Sequence, residues 1–114
     1  MKRSVFFAVA AMVAVCTGSA WAQAPAPQRM QELTRMVRQD CGSCHGMRLT
    51  GGLGPALTPA ALEHKPPPYL QHVILHGIPG TPMPPWSALL SPTEAQWIAE
   101  QLWQGFPEEN RSAR

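Results

Sequence analysis

The chain has 114 residues, a length that allows one domain and excludes most two-domain layouts. Only 14% of the residues are charged and 45% are hydrophobic, with 13 prolines and 9 glycines, which excludes a charged disordered tail and a coiled coil. Lys2 and Arg3 supply the formal charge of +2, so the remainder is neutral and carries no basic patch of the kind that holds nucleic acid.

In chain order, the first element is an address rather than part of a fold. Met1-Lys2-Arg3-Ser4 is a short positive stretch, and residues 5–15 form an apolar run. Ser19-Ala20-Trp21-Ala22 then places small residues at the −3 and −1 positions of a cleavage point after Ala22. Cutting after Ala24 also satisfies this pattern but leaves Pro25 beside the bond. The apolar run is shorter than a bilayer-spanning helix requires. Residues 1–22 are therefore expected to be a secretory signal, and residues 23–114 one domain with its core at 28–104. Cys16 leaves with the signal, and the branched Val15 before it argues against a lipoprotein. A chain this small often needs a disulfide, a metal or a cofactor to complete its core.

Residues 28–39 are predicted to be a helix, with Met30, Leu33 and Val37 on one face and Arg29, Glu32, Arg35 and Arg38 elsewhere. This helix runs straight into Cys41-Gly42-Ser43-Cys44-His45. C-x-x-C-H is the attachment sequence for c-type haem. Two thiols three positions apart on one helical turn can reach the two vinyl groups of one porphyrin. The next residue, His45, then lies under the iron as proximal ligand. A thioredoxin-type redox pair needs a βαβ setting, and no strand-like alternation surrounds the motif. Zinc needs two further ligands, for which His64, His72 and His76 are available but not at finger spacing. A disulfide between Cys41 and Cys44 closes too short a loop to contribute much.

Residues 46–57 read as a glycine-rich loop. Thr58 caps a short helix that has Pro59 in its first turn and stops at Pro66-Pro67-Pro68. Residues 69–76 read as a third helix, with Tyr69, Leu70, Val73 and Ile74 on one side and Gly77 at its end. Residues 78–90 form a stiff, proline-punctuated loop. The last helix has the clearest start: Ser91 as N-cap, Pro92 in the first turn and Glu94 completing a capping box. Ala95, Ile98 and Leu102 define its inner face, Trp97 and Trp103 flank it, and Gly105-Phe106-Pro107 ends it before a polar tail expected to fray from Glu108. The fold class is all-α, short helices around one cofactor, without strands or repeats.

A haem iron held by one histidine has a further axial position. Met83 stands between Pro82 and Pro84-Pro85, which restrict the backbone around it. A thioether on so stiff a loop suits a distal iron ligand; the plain alternative is an apolar loop contact. Met30 and Met36 suit core packing, Met47 is too near His45 to reach the opposite haem face, and His72 or His76 would give a bis-histidine iron. His45 Nδ1 is expected to donate to a carbonyl, with Pro55 as the candidate and a plain turn residue as the alternative role for Pro55. Trp86 and Arg48 are candidate partners of the haem propionates, with an apolar lid and a solvated charge as the respective alternatives.

Taken together, C-x-x-C-H near the front, Gly51-Gly52-Leu53-Gly54-Pro55 next, and Gly80-Thr81-Pro82-Met83-Pro84-Pro85-Trp86 before a final helix resemble the small class I c-type cytochromes over residues 28–103. In closer detail the chain resembles the periplasmic cytochrome associated with cytochrome cd1 nitrite reductase, the NirC type, and the haem c domain of cytochrome cd1. The resemblance implies a class I cytochrome c fold, ligation by His45 and Met83, and covalent anchoring of one haem c through Cys41 and Cys44. It also implies a role in denitrification, as electron donor to cytochrome cd1 nitrite reductase or in d1-haem maturation. The expected protein is a periplasmic, monomeric one-electron carrier that is not itself an enzyme and is not inserted in a membrane. The alternative is a haem-binding sensor or assembly protein with a labile sixth ligand.

Overall fold

The computed structural model describes residues 24–108; the signal segment lies outside them, as does the tail beyond Glu108. Among the described residues all regular structure is helical. Helix α1 spans Pro27–Met36 and passes without a break through a π-helical turn, Val37–Cys41, into α2, Gly42–His45. The helix predicted for 28–39 thus continues to His45 and contains the whole cysteine motif. The wider π turn stands immediately before the second half of that motif, a position where such turns commonly mark functional sites.

Helix α3, Pro59–Leu62, begins where Thr58 accepts a hydrogen bond from the Ala61 N–H. Helix α4 spans Pro67–His76 and starts two residues before the predicted position. Pro67 and Pro68 serve as its first turn, where a missing N–H costs nothing. Gly77, at φ 67°, ends it. Helix α5, Pro92–Gln104, has the complete capping box: Ser91 Oγ accepts from the Glu94 N–H and Glu94 Oε2 accepts from the Ser91 N–H.

α4 and α3 both pack on α5. The core gathers Leu33 and Val37 from the first helix, Leu62, Leu70 and Leu90 from the middle of the chain, and Ile98, Ala99 and Leu102 from α5. Met30 and Met36 pack against it, as expected of core methionines. Three side chains depart from the sequence reading. Trp97 is buried and meets Phe106 edge-on, while Trp103 faces solvent. Tyr69 is exposed although Leu70 beside it is buried. Arg38, placed on the polar side by periodicity, is 8% exposed.

Arg38 is buried because the chain after α5 folds back over the π turn. Its guanidinium donates to the Phe106 carbonyl at 2.9 Å and to the Pro107 carbonyl at 2.9 Å, and it lies over the Phe106 ring. A second tie joins the ends of the fold. Arg29 Nε donates to Glu94 Oε1 at 2.6 Å, so one carboxylate both caps α5 and holds α1. The Arg29 guanidinium, followed by the capping contacts with Ser91, holds the Glu94 carboxyl below its usual range.

Candidate haem-attachment site

The cysteine motif occupies one helical turn because the helix that delivers it does not stop at Gln39. Cys41 is half-buried against the core and Cys44 is exposed, and both thiols are free. Burial, with Asp40 alongside, pushes the Cys41 thiol up to about 11. At neutral pH it is therefore a protonated thiol rather than the thiolate of a redox-active pair.

Past the motif the chain turns back sharply. Gly46 has φ 88°, and the Leu49 N–H donates to its carbonyl at 2.7 Å. The Gly51 N–H donates to the His45 carbonyl, and the Gly54 N–H to the Cys44 carbonyl, each at 2.8 Å. This return needs glycine. A Cβ on Gly52 would fall 2.6 Å from the Cys44 carbonyl oxygen, and one on Gly54 would fall 2.8 Å from the His45 ring. Leu49 is the one non-glycine residue with positive φ among the described residues, at 61°, and its side chain is buried. That conformation costs of order 1–3 kcal/mol, which the burial of the leucine offsets.

The turn brings the Pro55 carbonyl oxygen 2.7 Å from His45 Nδ1. A carbonyl oxygen can only accept, so Nδ1 carries the hydrogen. In the neutral ring the lone pair then belongs to Nε2, the tautomer a metal ligand needs. The residues present fit a covalently held haem c. Two unpaired thiols share one turn, an imidazole is locked with Nε2 free, and glycine packs against the ring.

Met83 lies on a separate loop, fastened to the end of α4. The Ile78 N–H donates to the Met83 carbonyl at 3.2 Å. A Cβ on Gly77 would fall 2.6 Å from that same oxygen, so the buried Gly77 is what lets the loop lie against the helix end. Beyond Met83, the Trp86 N–H donates to the Ile74 carbonyl at 2.9 Å and the Ser87 N–H to the Leu75 carbonyl at 3.3 Å. The Met83 side chain is half-buried, and Trp86 packs against the core. Arg48 is exposed. Gly77 entered the sequence reading as a helix terminator. Its contact with Met83 is the part that was missed, and the nearest signal was its place six residues before a methionine among prolines.

The other histidines are all exposed. His64 is exposed beside Glu63 at 3.0 Å, and His72 and His76 are exposed on α4. Among the described residues no three His, Cys, Asp or Glu side chains converge as a metal site, so these histidines do not join the cysteines in a zinc centre.

Comparison with known proteins places this geometry. Residues 28–101 match the family model described as cbb3-type cytochrome c oxidase subunit III. Cytochrome c55X of Pseudomonas aeruginosa is 54% identical over 81 residues, which are 71% of this chain and 68% of that protein. The solved c-type cytochrome NirC superimposes with a TM-score of 0.70 at 54% identity, covering 71% of this chain and 95% of NirC. The dihydro-haem d1 dehydrogenase NirN, solved in complex with DHE, aligns at a TM-score of 0.59 and 36% identity over 68% of this chain and 16% of its own.

Proposed function

Because the chain belongs to the cytochrome c55X/NirC family of c-type cytochromes, monohaem proteins of the denitrification context with covalently bound haem c, we propose that it is a periplasmic one-electron carrier. In this reading Cys41 and Cys44 would hold the haem through thioethers, and His45 Nε2 and the Met83 thioether would ligate its iron. When bound, haem c supplies a one-electron iron couple. The chain supplies the rest. The Pro55 carbonyl fixes the tautomer and orientation of His45. A thioether as the second ligand would give a higher reduction potential than a second imidazole. Met83 holds its position because its loop is clamped on both sides to the end of α4, and that clamp is the observation that carries the reading. Trp86, in the same loop, is assigned to the haem edge as a lid or propionate partner. An iron ligated by both side chains would suit transfer of electrons rather than binding of a substrate, so the protein needs no catalytic activity of its own.

Absorption spectra and potentiometry of the holo-protein test the ligand pair. Met83→Ala should lower the reduction potential, change the oxidised spectrum and open the iron to carbon monoxide, which the reduced wild type should bind slowly. An unchanged spectrum and potential would remove Met83 from the iron. Rapid stoichiometric carbon monoxide binding by the wild type would instead favour a sensor or assembly protein with a labile sixth ligand.

The partner we assign is cytochrome cd1 nitrite reductase, reached as a monomer through a brief, small interface. The likeness to dihydro-haem d1 dehydrogenase favours a second reading, in which the electrons serve d1-haem maturation. Deleting the gene separates the two. Loss of nitrite turnover with d1 haem intact supports the donor role, and loss of d1 haem itself supports maturation.

A further inference from the structure

The function proposed above assigns the iron to His45 and Met83, and it leaves His72 and His76, which share one face of α4, without a role. Their rings lie 4.6 Å apart between centroids, tilted by 49°. Both side chains are exposed, on the side of the helix away from Leu70 and the half-buried Val73 and Ile74. Residues four apart on a helix are stacked one turn above the other, the spacing at which two imidazoles reach one metal ion. Neither side chain has a hydrogen-bond partner among the described residues, in contrast to His45, committed to Pro55, and His64, beside Glu63.

The backbone under the pair is held at both ends. Pro67 and Pro68 stiffen the first turn, and Gln71 Nε2 donates to the Pro92 carbonyl at 2.8 Å. The last turn carries the Trp86 and Ser87 N–H groups on the Ile74 and Leu75 carbonyls. A chelate formed on a fixed helix costs side-chain rotamer freedom and little else. His76 also lies in the last turn of α4, the end of a helix that favours positive charge.

We propose that His72 and His76 form a two-imidazole surface site for a divalent transition-metal ion, with water completing the coordination. Imidazole donors suit Cu²⁺ and Zn²⁺, and Cu²⁺ binds the tighter of the two. The proposal rests on the assignment of the iron to His45 and Met83, and it is independent of which redox partner the protein serves.

The test uses the oxidised, untagged holo-protein, in which His45 and Met83 are committed to the iron, titrated with Zn²⁺ or Cu²⁺ alone by calorimetry. Wild type should take up one equivalent of either metal, Cu²⁺ more tightly. His72→Gln and His76→Gln should each weaken binding at least tenfold, because one imidazole remains, while His64→Gln should bind as wild type does. Electron paramagnetic resonance of the Cu²⁺ form should show two equivalent nitrogens, reduced to one in either variant. Both positions are exposed, so the helical circular dichroism and haem spectrum of the variants should match wild type. Absence of a one-equivalent site in wild type, or unchanged binding in both His72→Gln and His76→Gln, would overturn the proposal.

Discussion

The loop after His45 and the loop around Met83 hold their residues by different means. The first is short of side chains and stitched to the helix that precedes it: Gly51 and Gly54 donate to the carbonyls of His45 and Cys44, and Gly52 and Gly54 leave room for the backbone to close. The second is stiff in its own sequence, with Pro79, Pro82, Pro84 and Pro85, and is anchored to α4 through Gly77, Ile74 and Leu75. A rigid loop needs few anchors but an accurate seat; a glycine-rich loop needs many anchors and no bulk. The two candidate ligands therefore fail in different ways when glycine is replaced.

The sharpest way to break the comparison is Gly77→Ala. The new methyl would sit 2.6 Å from the Met83 carbonyl oxygen, on a residue already at φ 67°. The expected loss is about 3 kcal/mol of stability in urea unfolding. With Met83 on the iron as proposed, the loss in the holo-protein should come with a weakened methionine-to-iron absorption band, because the seat of the Met83 loop is what moves. Gly54→Ala comes next. Its methyl would press on the His45 ring at 2.8 Å, forcing the ring off Pro55, at about 2 kcal/mol. Here the methionine band should persist while the potential changes through the histidine. If both variants give the same spectral change, the two loops are not independent supports.

Arg38→Met tests the tie that holds the end of the chain against the turn that delivers Cys41. Loss of the charged hydrogen bonds to the Phe106 and Pro107 carbonyls should cost about 1.5 kcal/mol, at the low end because the Pro107 end is reached by water. The smallest effect is expected at Glu94→Gln, about 1 kcal/mol at neutral pH, from the weakened cap and the lost pair with Arg29. Its sign with pH is fixed. Glu94 is held below its usual range in the fold, so its contribution is present above the ordinary carboxylate value and is lost as pH falls through the lower folded value. The gap between wild type and Glu94→Gln should therefore narrow as the solution is acidified, while the Gly77→Ala gap should not.

Most of the local structure was legible because its signals are local. The capping box at Ser91 and Glu94, the Thr58 cap and the Gly77 stop each depend on residues within a few positions of one another, and all three are present. The start of α4 differs from the sequence expectation because Pro67 and Pro68 open the helix, whose first turn has no use for their missing N–H. Arg38 escaped the reading because its burial depends on Phe106 and Pro107, far along the chain, and periodicity counts only neighbours on the same helix. Tyr69 was misplaced for the related reason that a helix alone does not reveal how wide a stripe its neighbours cover.

By itself the sequence determined the chemistry at the motif. Two cysteines and a histidine at this spacing, with no strand-like alternation around them, point to an attached haem. It also determined that the chain makes short helices broken by proline and glycine. Tertiary structure decided which backbone groups meet: the Pro55 carbonyl with His45, Gly77 with the Met83 carbonyl, and the chain after α5 with Arg38. Those contacts come from the three-dimensional return of loops whose flanking residues carry no local preference for one another. They exist because packing the core brings the loop ends together and leaves room only for a hydrogen atom where glycine stands.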